Sequence, residues 1–384
     1  MIEKIRIENY KSIQELEISL GRITVLIGAN GSGKSNILEA IALSSAAENY
    51  KLDNEFLNSR GIRVTDDPQF MRAAFEKQNV TKEIKITLEG EKATKFEYVL
   101  QKDNNQPYSA WTDKGSKFAA MVKRVRESVE RNESVNDIKD SAVKDKIVYE
   151  VARKVLRINV ESINLNDFLI YSPENSSLRT FEQEGQIEPL GIKGEGLFKL
   201  LKVLSSKKNK KRLDEIKSKL KFIDWFSDFD VAQDLSPQER RIQIRDKYLD
   251  SKLEYFDQKS SNEGFLFLLF YLCLFVSSDT PDFFAIDNID ASLNPKLCSQ
   301  LMIELADLAK KYKKQAIFTT HNPAILDGLN LNDENQKLYV IYRNKLGQTK
   351  AKQFNKPKLI EGQEPVRLSE AFLRGYLGGL PQNF

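Results

Sequence analysis

Apolar and charged residues alternate from the N-terminus, with Ile2, Ile5 and Ile7 set among Glu3, Lys4, Arg6 and Glu8. A second alternating piece runs from Ile13 to Leu20, and both stretches predict strands with one buried face. Ile23 to Ile27 is a β-branched apolar run that stops at Gly28, and an apolar-periodic helix follows from near Ser35 to about Glu48. Residues 84–101 alternate as a hairpin, with turn chemistry at Glu89, Gly90 and Glu91. In the charged stretch 115–157, Met121, Val122, Val125 and Val129 recur at helical spacing, which predicts one or two inserted surface helices. Residues 163–173 predict a core strand ending at Pro173. A glycine-rich piece from Gly191 to Gly196 then leads into a helical lobe over 197–223. Residues 282–287 and 316–320 are short core strands, and a C-terminal strand from Lys337 to Tyr342 turns at Gly347 before a closing helix.

The stretch between the third strand and its helix, Gly28 to Ser35, has the spacing G-x-x-x-x-G-K-S. Such glycines let successive backbone N–H groups point into one concavity suited to phosphate oxygens, and the helix start adds free N–H groups and its positive dipole end. Lys34 would reach the β- and γ-phosphates, and the Ser35 hydroxyl would complete a Mg²⁺ shell. The strand-before, helix-after context makes this a nucleoside triphosphate site. Downstream, Asp287 ends the apolar run Asp282 to Ile286, where a carboxylate can hold Mg²⁺ through water.

Composition narrows the picture further. Charged residues make up 30% of the 384 and mean hydropathy is −0.46, as in a soluble chain. The most apolar run, Phe265 to Val276, is too short to span a bilayer, and the N-terminus lacks the apolar core of a signal peptide. Cys273 and Cys298, the only cysteines, fall in apolar helical patterns and predict buried thiols in a reducing cytoplasm. His321 is the only histidine, which excludes an HNH nuclease and a His-rich metal site. A net charge of +4 permits nucleic-acid contact without arguing for it. The basic run Lys207, Lys208, Lys210, Lys211 and Arg212 reads either as a solvated helix junction or as a phosphate-contacting patch.

Asn9-Tyr10-Lys11-Ser12, the P-loop, the Gly264 segment, Asp287 and His321, in that order, resemble the RecF/SMC/OLD-like ABC-type ATPases. The nearest resemblance is to stand-alone ATPase subunits of bacterial anti-phage defence systems, such as PtuA of Septu and AriA of PARIS. The resemblance covers nearly the whole chain. It implies an α/β P-loop NTPase fold of the ABC/SMC-head type, a mixed central sheet with an antiparallel β lobe and a helical lobe. No heptad repeat is sustained, so no coiled-coil arm is expected. The expected organisation is one ATPase domain over 1–384. Its core lobe comprises 1–50, 160–200 and 265–384, with a β-hairpin and helical insertion over about 51–159 and a helical lobe over about 197–260.

For the site, the resemblance implies that Asn30, Gly31, Ser32, Gly33, Lys34, Ser35 and Asn36 hold ATP, and that Ser35 and Asp287 hold Mg²⁺. Asn262, with Ser261 as the alternative at the serine position, and Gly264 would stand in a signature segment capping the γ-phosphate bound by another subunit, although a plain helix N-cap would look similar. His321 occupies the place of the switch histidine, Ser292 to Pro295 that of the D-loop, and Pro173 to Arg179 that of the Q-loop. Asn288 stands where the family usually has a glutamate that orients the attacking water. An amide can position water but cannot take its proton. Asp290 is the nearest carboxylate.

These expectations describe an ATP-binding, ABC-type ATPase subunit that dimerises around ATP, as a homodimer or within a higher oligomer, with slow or impaired hydrolysis. It would be a cytoplasmic sensor or scaffold in anti-phage defence, controlling a separate effector protein, a nuclease, under a nucleic-acid or phage-protein trigger and without a membrane. The alternative is a RecF-like DNA-repair ATPase that hydrolyses ATP on DNA. An export ABC subunit fits poorly with the Asn9-to-Ser12 opening and the long insertions.

Overall fold

The computed structural model describes residues 1–73, 75–91, 94–104, 111–115, 117–131, 143–144, 147–148, 151–152, 155, 165–181, 187–231, 240–250, 252–355 and 366–378. The opening strands fall where the pattern places them: β1 (Ile2–Tyr10), β2 (Ile13–Ser19) and β3 (Ile23–Ile27), followed by helix α1 (Lys34–Glu48). The expected hairpin is β4 (Ile84–Gly90) with β5 (Lys95–Gln101), and the short β6 (Thr112–Asp113) completes an antiparallel sheet of order β2-β1-β4-β5-β6. Its inner face, with Ile5, Ile7, Ile86 and Leu88, packs with α1 in one core cluster.

The second sheet has the order β13-β12-β3-β11-β10-β7, from β7 (Ile170–Tyr171), β10 (Phe283–Ile286), β11 (Gln315–Thr320), β12 (Gln336–Arg343) and β13 (Thr349–Phe354). All its pairings are parallel except β12 with β13. α1 therefore lies between the two sheets, which explains why apolar residues occupy nearly its whole circumference. The other face of the mixed sheet carries α7 (Glu263–Val276), fully apolar after Gly264 and buried on every side. Around it lie α4 (Asn175–Arg179), α5 (Leu197–Leu204), α6 (Lys210–Leu220) and α8 (Pro295–Tyr312), while α2 (Asn54–Ser59), α3 (Lys117–Glu130) and α9 (Leu368–Leu373) lie elsewhere in the chain. Among the described residues no helix is long and apolar enough to cross a membrane.

Some expectations change. The core strand expected over 163–173 pairs only at Ile170–Tyr171, because Leu165–Asp167 winds into a 3-10 turn whose Asn166 carbonyl accepts from Ser45 Oγ and Asn49 Nδ2. Residues 163 and 164 lie outside the described residues, as does much of 115–157. Within the span expected as a helical lobe, β8 (Phe226–Val231) and β9 (Ile242–Asp246) form a separate antiparallel pair. Both cysteines are buried free thiols, and burial pushes Cys298 up to about 12 and Cys273 higher still.

Candidate nucleotide-binding site

β3 is flanked by β11 and β12, so three parallel strands deliver their C-terminal ends to the loop Gly28–Gly33. The loop needs its glycines. A Cβ on Gly28 would stand 2.1 Å from the Ile341 carbonyl oxygen, and one on Gly33, at φ +103°, would stand 2.1 Å from Thr349 Oγ1. Thr349 Oγ1 donates to the Ser32 carbonyl at 2.8 Å and lies 2.6 Å from Ser12 Oγ, so the edge strand β13 buttresses the loop.

Lys34 is the loop's cation, and its Nζ donates to the carbonyls of Gly28 and Ala29 at 2.8 and 3.1 Å. Burial lowers it to about 8, against the pull of Asp287 and Asp290. His321, just past the end of β11, stands with Nδ1 3.1 Å from the Gly28 carbonyl and 3.3 Å from Lys34 Nζ. A carbonyl can only accept, which assigns the ring proton to Nδ1. Burial first, and then the Lys34 charge, holds this imidazole below its usual value and neutral. Ser35 Oγ donates to Asp287 Oδ2 at 2.9 Å, and Thr319 Oγ1 donates to the other oxygen of the same carboxylate. The structure thus brings together Lys34, Ser35, Asp287 and His321 from three separate parts of the chain.

The neighbouring positions divide. Asn288 is exposed at φ +56°, and its backbone N–H donates to Thr319 Oγ1 at 2.9 Å. Asp290 accepts from Thr320 Oγ1 at 2.6 Å. Asn36 donates to Ser12 Oγ at 2.6 Å and accepts from Arg63 Nη2 at 3.1 Å. Asn30 and Gly31 form the outer turn of the loop, where a Cβ on Gly31 would meet nothing within 4 Å. Asn262 caps α7, its Oδ1 accepting from Phe265 N at 2.8 Å. Gly264 packs on the segment after Asp290, since its Cβ would lie 3.2 Å from the Ser292 carbonyl, and Glu263 accepts from Ser292 Oγ at 2.8 Å.

Sequence reasoning missed Glu39, Arg63, Thr319 and Thr349. Glu39 is buried in α1 and accepts from Tyr10 OH, from Lys11 Nζ and from Arg63 Nε at 2.6 Å. The Asn9-to-Ser12 turn is therefore the clasp between the antiparallel sheet and the loop's helix. Asn9 completes it, donating to the carbonyls of Asn79 and Lys82 and accepting from Ala73 N. A lone carboxylate inside the apolar run Ile37 to Leu43 was the available signal.

The residues suit a nucleotide's phosphates and a hard cation. Lys34 donates to carbonyls of its own loop, the outer turn is open, and Ser32 Oγ is buried without a hydrogen-bond partner. One carboxylate beside one hydroxyl is a donor set for Mg²⁺, which keeps several waters and takes its remaining ligands from phosphates. Residues 23–327 match the family described as "AAA domain, putative AbiEii toxin, Type IV TA system". The chain belongs to that family. The chain is also similar, at 28% identity over 103 residues, to the OLD nuclease of Thermus scotoductus, and at 31% identity over 104 residues to the DNA replication and repair protein RecF of Bacillus cytotoxicus. Those matches cover 24% and 26% of this chain but only 19% and 27% of the two relatives. In fold it is similar to an Smc head bound to the C-winged helix domain of ScpA, with a TM-score of 0.53 at 15% identity over 92% of this chain and 98% of that one. An Smc head with an extended coiled coil from Pyrococcus furiosus gives 0.50 at 15% identity over 92% and 96%. The fold is that of an ABC/SMC-like P-loop ATPase.

Proposed function

We propose that this chain binds ATP with Mg²⁺ and that two copies then close around it, giving a nucleotide-gated dimer that turns over slowly. ATP would supply the phosphoanhydride, and the cation the charge neutralisation. Lys34 and the N–H groups of Gly31 to Asn36 hold the phosphates, Ser35 and Asp287 orient the cation, and His321 reads the terminal phosphate. Asn262 and Gly264 of the second copy complete the cage. The observation that carries the slow turnover is Asn288, an exposed amide beside Asp287 where a base would serve, with the Asp290 carboxylate already engaged by Thr320. A long-lived closed state suits a sensor or scaffold that controls a separate effector, a nuclease in anti-phage defence, in the cytoplasm. Light scattering with and without ATP and Mg²⁺ tests it. The mass should double with both and not for Lys34→Ala, and an unchanged wild-type mass would refute it.

A second reading, a RecF-type ATPase acting on DNA, is favoured by one surface. Lys207, Lys208, Lys210 and Lys211 are exposed at the start of α6, which has no acidic residue in its first turn, and Lys310, Lys311 and Lys313 are exposed at the end of α8. Arg212 joins the two over the Tyr312 ring. Duplex DNA that raises turnover at least about tenfold, with salt-dependent binding weakened by reversing these lysines, would favour that reading. DNA-insensitive turnover favours the first.

A further inference from the structure

We propose that His321 reads the terminal phosphate through a proton: it carries one on Nδ1 in the free protein and takes up a second from solvent on Nε2 when that phosphate arrives. This rests on the nucleotide-binding reading above and deepens it. The starting tautomer follows from the loop. Nδ1 stands 3.1 Å from the Gly28 carbonyl, whose two lone pairs take the Nδ1 hydrogen and Lys34 Nζ, the latter at 2.8 Å. Gly28 is wedged against Ile341 with no room even for a Cβ, so its carbonyl keeps its place. The backbone beside the ring is tied down as well. Thr320 Oγ1 accepts from Asn322 N at 2.9 Å while donating to Asp290, and Asn322 Oδ1 accepts from Ala324 N at 3.0 Å.

That leaves Nε2 as the free nitrogen of an exposed ring, with no hydrogen-bond partner among the described residues. Unprotonated, Nε2 presents a lone pair that repels a phosphate oxygen. Protonated, it is a charged donor to an anion. Moving the existing proton across the ring would leave a lone pair on Nδ1 facing the Gly28 carbonyl. Lys34 Nζ is 3.3 Å from Nδ1, but its own protons go to the Gly28 and Ala29 carbonyls. The charged groups around the ring are Lys34 from α1, and Asp287 and Asp290 from the segment after β10. Burial and then the Lys34 charge hold the free imidazole below its ordinary 6.5, against the Gly28 carbonyl and the two carboxylates. The negative charge of a terminal phosphate beside the ring reverses that balance. With ADP, which has no such phosphate, the ring stays neutral. Between the free and bound values of the ring the ATP complex holds the extra proton. As pH rises through that window, ATP affinity therefore falls about tenfold per unit relative to ADP.

The test uses nitrogen NMR of the full-length chain labelled at histidine, where the single imidazole gives one pair of ring-nitrogen signals. Spectra are taken at about pH 7.5 without nucleotide, with ADP and Mg²⁺, and with the β,γ-imido analogue of ATP and Mg²⁺. One bare and one protonated nitrogen are expected in the first two states, and two protonated nitrogens in the third. Calorimetry in buffers of different ionisation enthalpy should show at least about half a proton more taken up per site with the analogue than with ADP, since Lys34 contributes equally to both. His321→Gln, whose amide donates without titrating, removes this excess and the pH slope of ATP relative to ADP. A ring that stays neutral with the analogue, its proton moved to Nε2 and no excess taken up, overturns this inference alone and leaves His321 as the reader of the terminal phosphate. Ring signals that are the same with ADP and with the analogue overturn that reading and this inference with it.

Discussion

Replacing Glu39 by Gln keeps the shape of the side chain and removes its charge from the clasp. Glu39 has 2% of its side chain exposed and faces Lys11, at 12%, and Arg63, at 68%. The Arg63 pair is largely solvated and contributes about 0–1 kcal/mol. The Lys11 pair is buried, and removing one partner of such a pair costs about 3–5 kcal/mol because the other charge is stranded. Lys11 retains a bond to the Arg63 carbonyl at 2.8 Å, so the lower end, about 3 kcal/mol, is expected at neutral pH. Urea unfolding followed by circular dichroism reads this as a lower midpoint at unchanged slope. Glu39→Gln with Lys11→Met should recover half or more of the loss, because no charge is then stranded. The pH dependence has a definite sign. Burial holds folded Lys11 below its ordinary 10.5 despite Glu39, and loss of Glu39 lowers it further. Between the folded and unfolded values the unfolded chain binds the extra proton, so stability rises with pH and the variant's deficit narrows above neutrality. A loss under about 1 kcal/mol, or additive single losses, would refute this account of the clasp.

Three further outcomes are expected. Asn288→Glu should raise phosphate release at least about tenfold, less than a general base can supply because the left-handed backbone there disfavours glutamate; unchanged turnover would show that the base is not limiting. Free Lys34 loses its proton as pH rises through about 8, whereas bound phosphates would keep it charged. ADP affinity by calorimetry should then be flat below that pH and fall about tenfold per unit above it, and a flat profile to pH 9.5 would contradict the assignment. Gly28→Ala should abolish nucleotide binding and destabilise by about 1–3 kcal/mol, since its Cβ meets backbone at Ile341 and not a movable side chain; intact binding in a filter assay would refute it.

Where the signal is local, the chain was legible. β1 to β3, the loop and α1 follow from alternation, a β-branched run and glycine spacing, all within 48 residues. Lys34, Ser35, Asp287 and His321 converge because each ends or follows a strand of the same sheet. Thr319 and Thr349 were not legible as site-shaping residues, because their partners, Asp287 and Ser32, stand 32 and 317 positions away and depend on strand order. The pair β8–β9 was hidden by an irregular register between Phe226 and Asp228, which breaks the period-two pattern that a strand shows in sequence. Asn262 illustrates the opposite limit: its capping bond is plain in the structure, and the same residue still has an amide N–H₂ to offer a phosphate.

The two thiols described with the fold make the molecule chemically silent. Cys273 and Cys298 are buried, and Cys298 is further engaged by Asn322 Nδ2 at 3.6 Å. Their raised values leave almost no thiolate at neutral pH, so maleimides or disulfide exchange have nothing to attack in the folded chain. A single cysteine introduced at exposed Ser260 would then be the sole reactive handle. Any crosslink or label it acquires tests whether a second copy approaches, with no need to mutate the natural thiols first.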